Sequence, residues 1–157
     1  MTSVLLLACG NPLRGDDGFG LCLAETAEQH FAPVQLRVVA AQQWTPEMAA
    51  EIALAEVVIF ADASVTTPPG AVVLTPIDPV RASKERTVGA IRESHRLDPV
   101  RLLEFTEAWY GHRPRQAYLL TAGAASLEHK DGLSPDLLEA VIPAALTLLK
   151  QLIPYKN

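Results

Sequence analysis

The chain has 157 residues, thirteen basic and eighteen acidic, giving a net charge of −5 with 49% hydrophobic and 20% charged residues. That length fits one domain spanning 1–157, large enough to bury roughly 70% of its unfolded surface without a disulfide or structural metal. The acidic balance, spread without runs, is a poor electrostatic footprint for nucleic acid or an anionic membrane, and excludes both as expected partners.

The N-terminus has no basic segment, and its apolar run extends only from Val4 to Cys9. That is short for a secretory signal and far short of the roughly 20 apolar residues a spanning helix needs, so the expected location is the cytoplasm. Val4–Ala8 reads as a strand buried on both faces. Phe19, Leu23, Ala27 and Phe31 recur every fourth position and predict a helix from Gly18 to Phe31. Cys9 and Cys22 are too few and too far apart for a disulfide scaffold or a paired-cysteine metal site, and are expected as thiols packed like small apolar side chains.

Leu36–Ala40 is a second strand. Thr45 as N-cap, Pro46 at the first helical position and Glu47 in the first turn start a second helix, expected to run to Ala55. Val57–Ala61 is a third apolar strand that stops at Asp62. A turn at Thr66–Gly70 leads to a fourth strand, Ala71–Leu74. From Pro76 to Leu97 the periodicity vanishes, and so long an irregular stretch in a compact domain is usually functional. Asp98 and Pro99 open a helix to Trp109, Ala117–Ala122 is a fifth strand, and Gly123–Leu133 a loop. Ser134-Pro135-Asp136 starts a final helix with Leu138, Val141, Ile142, Ala145, Leu148, Leu149 and Leu152 on its apolar side, kinked at Pro143.

Apolar strands alternating with helices predict an α/β fold, a three-layer α/β/α sandwich with a mixed, mostly parallel sheet of about five strands. The link from the third strand to the fourth is too short for a parallel crossover, so at least one pair is antiparallel.

Sites on such sheets lie beyond the carboxyl ends of the strands. The segment Gly10-Asn11-Pro12-Leu13-Arg14-Gly15-Asp16-Asp17-Gly18 follows the first strand and matches neither phosphate-binding glycine pattern. Its adjacent acids would repel an anion and suit a cation; alternatively one of them caps the following helix. Asp62 ends the third strand, where it is either a turn residue or a carboxylate that needs a partner. His95, in the irregular stretch just ahead of a helix, is either a surface residue or a third donor. Two carboxylates and a histidine form a coordination set for a borderline divalent metal with positions left open. Such an ion can polarise a carbonyl and acidify water. No HExxH or G-x-S-x-G motif is present.

Taken in series, GNPLRGDDGFG after an apolar strand, VIFADAS, the histidine of ESHRLDPVRLLEF and GAASLEHKDGLSP resemble the hydrogenase maturation endopeptidases along the full chain. The resemblance implies a protease that removes the C-terminal extension from the precursor of a nickel–iron hydrogenase large subunit. Cleavage would follow nickel insertion, with the nickel carried by the substrate serving as the recognition element. Matched by motif, the residues contacting nickel are Asp17, Asp62 and His95. Asp16 and Asn11 match further positions of the same loop, Asp16 as a group that orients the ligands or a water, or acts as a base. The catalytic set implied is therefore Asp16, Asp17, Asp62 and His95. Two departures stand out: relatives admit Glu at the first ligand position, where Asp17 is one methylene shorter, and Ala40-Ala41-Gln42-Gln43-Trp44 replaces the Asp-Gly-Gly-Thr stretch of many relatives. Transient engagement of a large precursor fits a monomer.

Two other readings remain. A phospho-receiver domain also places paired acids after its first strand and an Asp after its third, although here YLLTAG ends without a lysine. A non-catalytic binder of nickel or of the precursor tail would keep the same acids.

Overall fold

A computed structural model of the protein describes residues 3–78, 97–124, 133–135 and 137–154. Within them, β1 (Val4–Cys9) is an interior hydrophobic strand, and all six of its residues are buried. Its side chains alternate between two cores. Leu5 and Leu7 join Val58, Phe60, Ile52 and Leu102 on one face; Leu6 and Ala8 join Phe19, Leu23, Ile59 and Leu149 on the other. Burial on both faces is why the strand carries no polar alternation.

The remaining strands are β2 (Arg37–Ala41), β3 (Val57–Pro69), β4 (Val72–Pro76) and β5 (Gln116–Gly123). They form a five-stranded sheet in the order β2-β1-β3-β5-β4. β1 pairs in parallel with β2 (Leu6 opposite Val38) and with β3 (Leu6 opposite Ile59), and β3 pairs in parallel with β5. The expected antiparallel pair is β4 with β5, with Leu74 opposite Leu120. Helices α1 (Phe19–His30) and α4 (Ile142–Leu152) cover one face; α2 (Ala49–Ile52) and α3 (Pro99–Tyr110) cover the other. The result is the expected three-layer α/β/α sandwich with a mixed, mostly parallel sheet. A receiver sheet of order 2-1-3-4-5 is different, because here β5 lies between β3 and an antiparallel β4.

Several local expectations change. The third strand does not stop at Asp62 but continues to Pro69, because its far end pairs with β5 and then crosses that strand's end. The crossing explains Gly123: a Cβ there would meet the Pro68 carbonyl oxygen at 2.0 Å. The second helix is shorter than expected, a 3-10 turn at Pro46–Met48 followed by four α-helical residues, although Thr45 and Pro46 hold the expected starting positions. It closes at Ile52, with Ala55 tied back by its N–H to the Ile52 carbonyl. Asp98 caps α3 as expected, accepting from the Arg101 N–H at 2.9 Å, and Gly111 ends that helix in the left-handed conformation. Pro143 follows a π-helical turn, Leu137–Val141, which changes to α-helix at Ile142. Pro143 is the second residue of that α-helix, a first-turn position where proline's missing N–H costs little.

Cys9 is buried and Cys22 half-buried, both as reduced thiols. Among the described residues no helix is long and apolar enough to cross a membrane.

Candidate active site

β1 lies between β2 and β3, so the chain leaves β1 toward one side of the sheet and re-enters it at β3 on the other. Crevices at such a reversal, outside the carboxyl ends of the strands, are where α/β sheets bind their ligands. Both acidic features of the sequence lie just past the stretch where β1 pairs with β3, which ends at Ala8 opposite Ala61. The loop holding Asp16 and Asp17 follows β1 directly, and its 3-10 turn, Gly15–Gly18, packs against β3, the strand that carries Asp62.

The loop is folded by its own backbone. The Asn11 N–H donates to both the main-chain carbonyl and Oδ2 of Asp17, at 3.1 Å each. Asn11 Oδ1 accepts from the Leu13 N–H at 3.0 Å, and the Asn11 carbonyl accepts from the Arg14 N–H at 3.1 Å. The Arg14 carbonyl in turn accepts from the Asp17 N–H at 3.1 Å. This closure needs Gly10, where a Cβ would stand 2.1 Å from the Asp17 carbonyl oxygen.

The two acids have different surroundings. Asp16 is fully buried; its Oδ1 accepts from the Ser134 N–H at 2.7 Å and its Oδ2 from the Ser134 hydroxyl at 3.1 Å. Asp17 is 7% exposed and keeps its contact with Asn11. Neither side chain caps α1, whose N-cap is Gly18 without a side-chain hydrogen bond. The capping alternative for the acidic pair is thereby corrected: the 3-10 turn carries both acids ahead of the helix instead of placing one at its start.

Asp62 lines a cleft of about 170 Å³ together with Cys9, Gln43, Trp44, Leu97 and Asp98. The Asp62 Oδ1 atom is sealed from solvent. One wall is held by Trp44, whose Nε1–H donates to the Leu7 carbonyl at 3.2 Å and whose ring meets Phe60 edge-on at 5.5 Å. Trp44, Gln43 and Ser134 were not among the residues singled out for the site. Trp44 and Gln43 sit just beyond the carboxyl end of β2, so the strand-end rule was the signal that could have found them. Ser134 lies 118 positions from Asp16 and gives no local signal beyond its place at a helix start.

The turn of Asp16 and Asp17 thus packs against the strand of Asp62, whose side chain lines the cleft. His95 lies outside the described residues, as do most of the irregular stretch, residues 125–132 of the expected loop, and Asp136. Among the described residues no three His, Cys, Asp or Glu side chains come together as a metal site.

No protein-family model and no curated protein matches the chain. Solved structures do. The hydrogenase maturating endopeptidase HybD from Escherichia coli aligns over 96% of this chain and 93% of its own, at 23% identity and TM-score 0.69. The NiFe hydrogenase maturation protease HybD from Thermococcus kodakarensis aligns over 98% and 100%, at 24% identity and TM-score 0.71. An endopeptidase from Escherichia coli solved in solution aligns over 94% and 90%, at 26% identity and TM-score 0.72. The chain has the hydrogenase maturation endopeptidase fold. On this endopeptidase fold, the alignments span nearly the whole of each chain, so the acidic loop, β3 and the final helix all lie within the shared architecture.

Proposed function

We propose that the protein is an endopeptidase, a hydrolase that removes the C-terminal extension from the nickel-loaded precursor of a nickel–iron hydrogenase large subunit. The observation that supports this reading is the packing of the Asp16–Asp17 turn against β3, the strand of Asp62, on a hydrogenase maturation endopeptidase fold. Asp17, Asp62 and His95 are the residues assigned to contact the nickel of the precursor, and Asp16 is assigned to the same catalytic set. Oxygen and imidazole donors suit a borderline divalent ion presented by the substrate with coordination positions still open. The ion then holds the scissile peptide in place, and can polarise its carbonyl or acidify a water. The cleft beside Asp62, walled by Trp44 and Leu97, gives an adjoining segment of the precursor somewhere to lie.

The described residues build the site from loops at one end of a single sheet, which fits recognition through the substrate's own metal. The form proposed is a monomer acting in the cytoplasm. The test is to mix the purified protein with nickel-loaded and with nickel-free precursor and measure the precursor's mass. Loss of the tail from the nickel-loaded form alone is the expected result. Cleavage irrespective of nickel removes the recognition argument, and cleavage of neither form removes the proposal.

A further inference from the structure

We propose that Ser134 is a positioning residue for the acidic loop: through Asp16 it fixes the turn that presents Asp17. The inference deepens the proposed function, resting on it for the role of Asp17, and it concerns a residue that acts through its bonds to Asp16.

Backbone bonds close the turn, but they leave open how it sits against the rest of the fold. Gly15–Gly18 is a single 3-10 turn without a side-chain cap, and Gly15 stands at positive φ. Its placement in the fold therefore comes from what it is tied to. On one side is Asn11, bonded to Asp17. On the other is Asp16, whose two carboxylate oxygens both accept from Ser134. A fully buried carboxylate is costly unless hydrogen-bonded, and bonds to an ionised acceptor are among the stronger ones available. Moving the turn away from Ser134 would break two hydrogen bonds to a buried carboxylate, so the pairing is restrictive as well as attractive.

The anchor itself is fixed. The Ser134 carbonyl accepts from the N–H groups of Leu137 and Leu138, joining it to the π-helical turn that leads into α4. Val141, Ala145 and Leu149 hold that segment in the core with no exposed surface. The chain beside Ser134 also backs the turn: a Cβ on Gly18 would stand 3.6 Å from the Leu133 side chain and 3.1 Å from Pro12 Cα. Residues at the far end of the sequence thus hold the loop after β1, and outer-sphere partners of this kind set the aim of a metal-contacting group.

The experiment compares the full-length wild type with Ser134→Ala and Ser134→Thr. Alanine keeps the backbone N–H bond to Asp16 Oδ1 and removes only the hydroxyl; threonine restores the hydroxyl. Amide hydrogen exchange reads the loop directly. In Ser134→Ala, the Asn11 and Asp17 amides should exchange at least about 10-fold faster, while Leu6 and Ile59 in the sheet keep wild-type rates. Cleavage of nickel-loaded precursor should lose about 10-fold or more in kcat with KM within about twofold, and Ser134→Thr should recover most of it. Unchanged exchange at Asn11 and Asp17, or faster exchange spread equally through the sheet, overturns the inference. So does a kcat loss that threonine fails to rescue. A wild type that cleaves neither precursor defeats the proposed function, while the exchange measurements still decide whether Ser134 holds the loop.

Discussion

The N–H of Asn11 bonds twice to Asp17, to its main-chain carbonyl and to its Oδ2, each at 3.1 Å. A backbone donor therefore fixes both the path of the chain and the direction of one carboxylate, and it does so across a gap that only glycine at position 10 leaves open. Gly10→Ala places a Cβ 2.1 Å from the Asp17 carbonyl oxygen, against backbone that has no rotamer to change. The expected cost is about 1–3 kcal/mol of stability, from overpacking. Processing should fall further than stability alone explains, by about 100-fold, because a displacement of about 1 Å at a reacting centre has effects of that size. A urea titration with a precursor-cleavage assay checks both, and an alanine variant cleaving at the wild-type rate would show that the close approach has no bearing on activity.

Isosteric replacement of the acids separates charge from packing. Asp17→Asn and Asp62→Asn keep shape and volume, so the sheet should form normally. Each should lower cleavage of nickel-loaded precursor by more than about 100-fold, beyond the 10–100-fold typical when only an outer-shell partner is lost. His95→Ala should abolish processing in the same way. Melting curves establish that each variant is folded; full activity in a folded Asp62→Asn would remove that carboxylate from the site.

These residues also mark how far the sequence could be read. The apolar runs of β1 and β3 and the capping residues Thr45 and Asp98 were legible because they answer to local rules of burial and helix starts. Asp62 was placed correctly relative to the buried run but taken as its end, since what extends β3 to Pro69 is pairing with β5, about sixty positions downstream in the register of Ser64 with Gly123. The two acids after β1 read as one pair, and nothing in the local sequence separates their surroundings. Asp16 turns to Ser134, and a contact spanning 118 positions leaves no periodicity to detect. The cleft wall at Trp44 was hidden for a similar reason: its partners, Leu7 and Phe60, belong to two other strands.

Trp44 holds that wall by one hydrogen bond and one edge-on ring contact, and the two can be taken apart. Trp44→Phe removes the donor to the Leu7 carbonyl while keeping an aromatic ring against Phe60. It should cost about 1 kcal/mol, the usual net worth of one hydrogen bond. Trp44→Ala also empties the wall and should cost about 3 kcal/mol, the lower end for losing a large aromatic side chain, since the ring is only half-buried. If the cleft receives a segment of the precursor, the alanine variant should raise KM more than it lowers kcat. Equal urea midpoints for the two variants would mean that the ring contact contributes nothing.

Cys22 offers a pH-dependent test away from the site. Burial, reinforced by the negative charge of Glu25 and only partly offset by a hydrogen bond involving Thr26, raises its pKa above the ordinary value of 9.0. The folded protein thus binds the thiol proton more tightly than the unfolded chain does. Stability from this group is fully present below the ordinary thiol value and is lost as pH rises through the higher folded value. The same shift leaves less thiolate at a given pH, and the thiolate is the nucleophile. At pH 8, iodoacetamide should therefore modify Cys22 more slowly in the native protein than in urea-unfolded chain, as followed by mass spectrometry. Native stability should decline once the pH passes about 9, and Cys22→Ala should flatten that decline. Alkylation equally fast in both states would contradict the burial that raises the pKa.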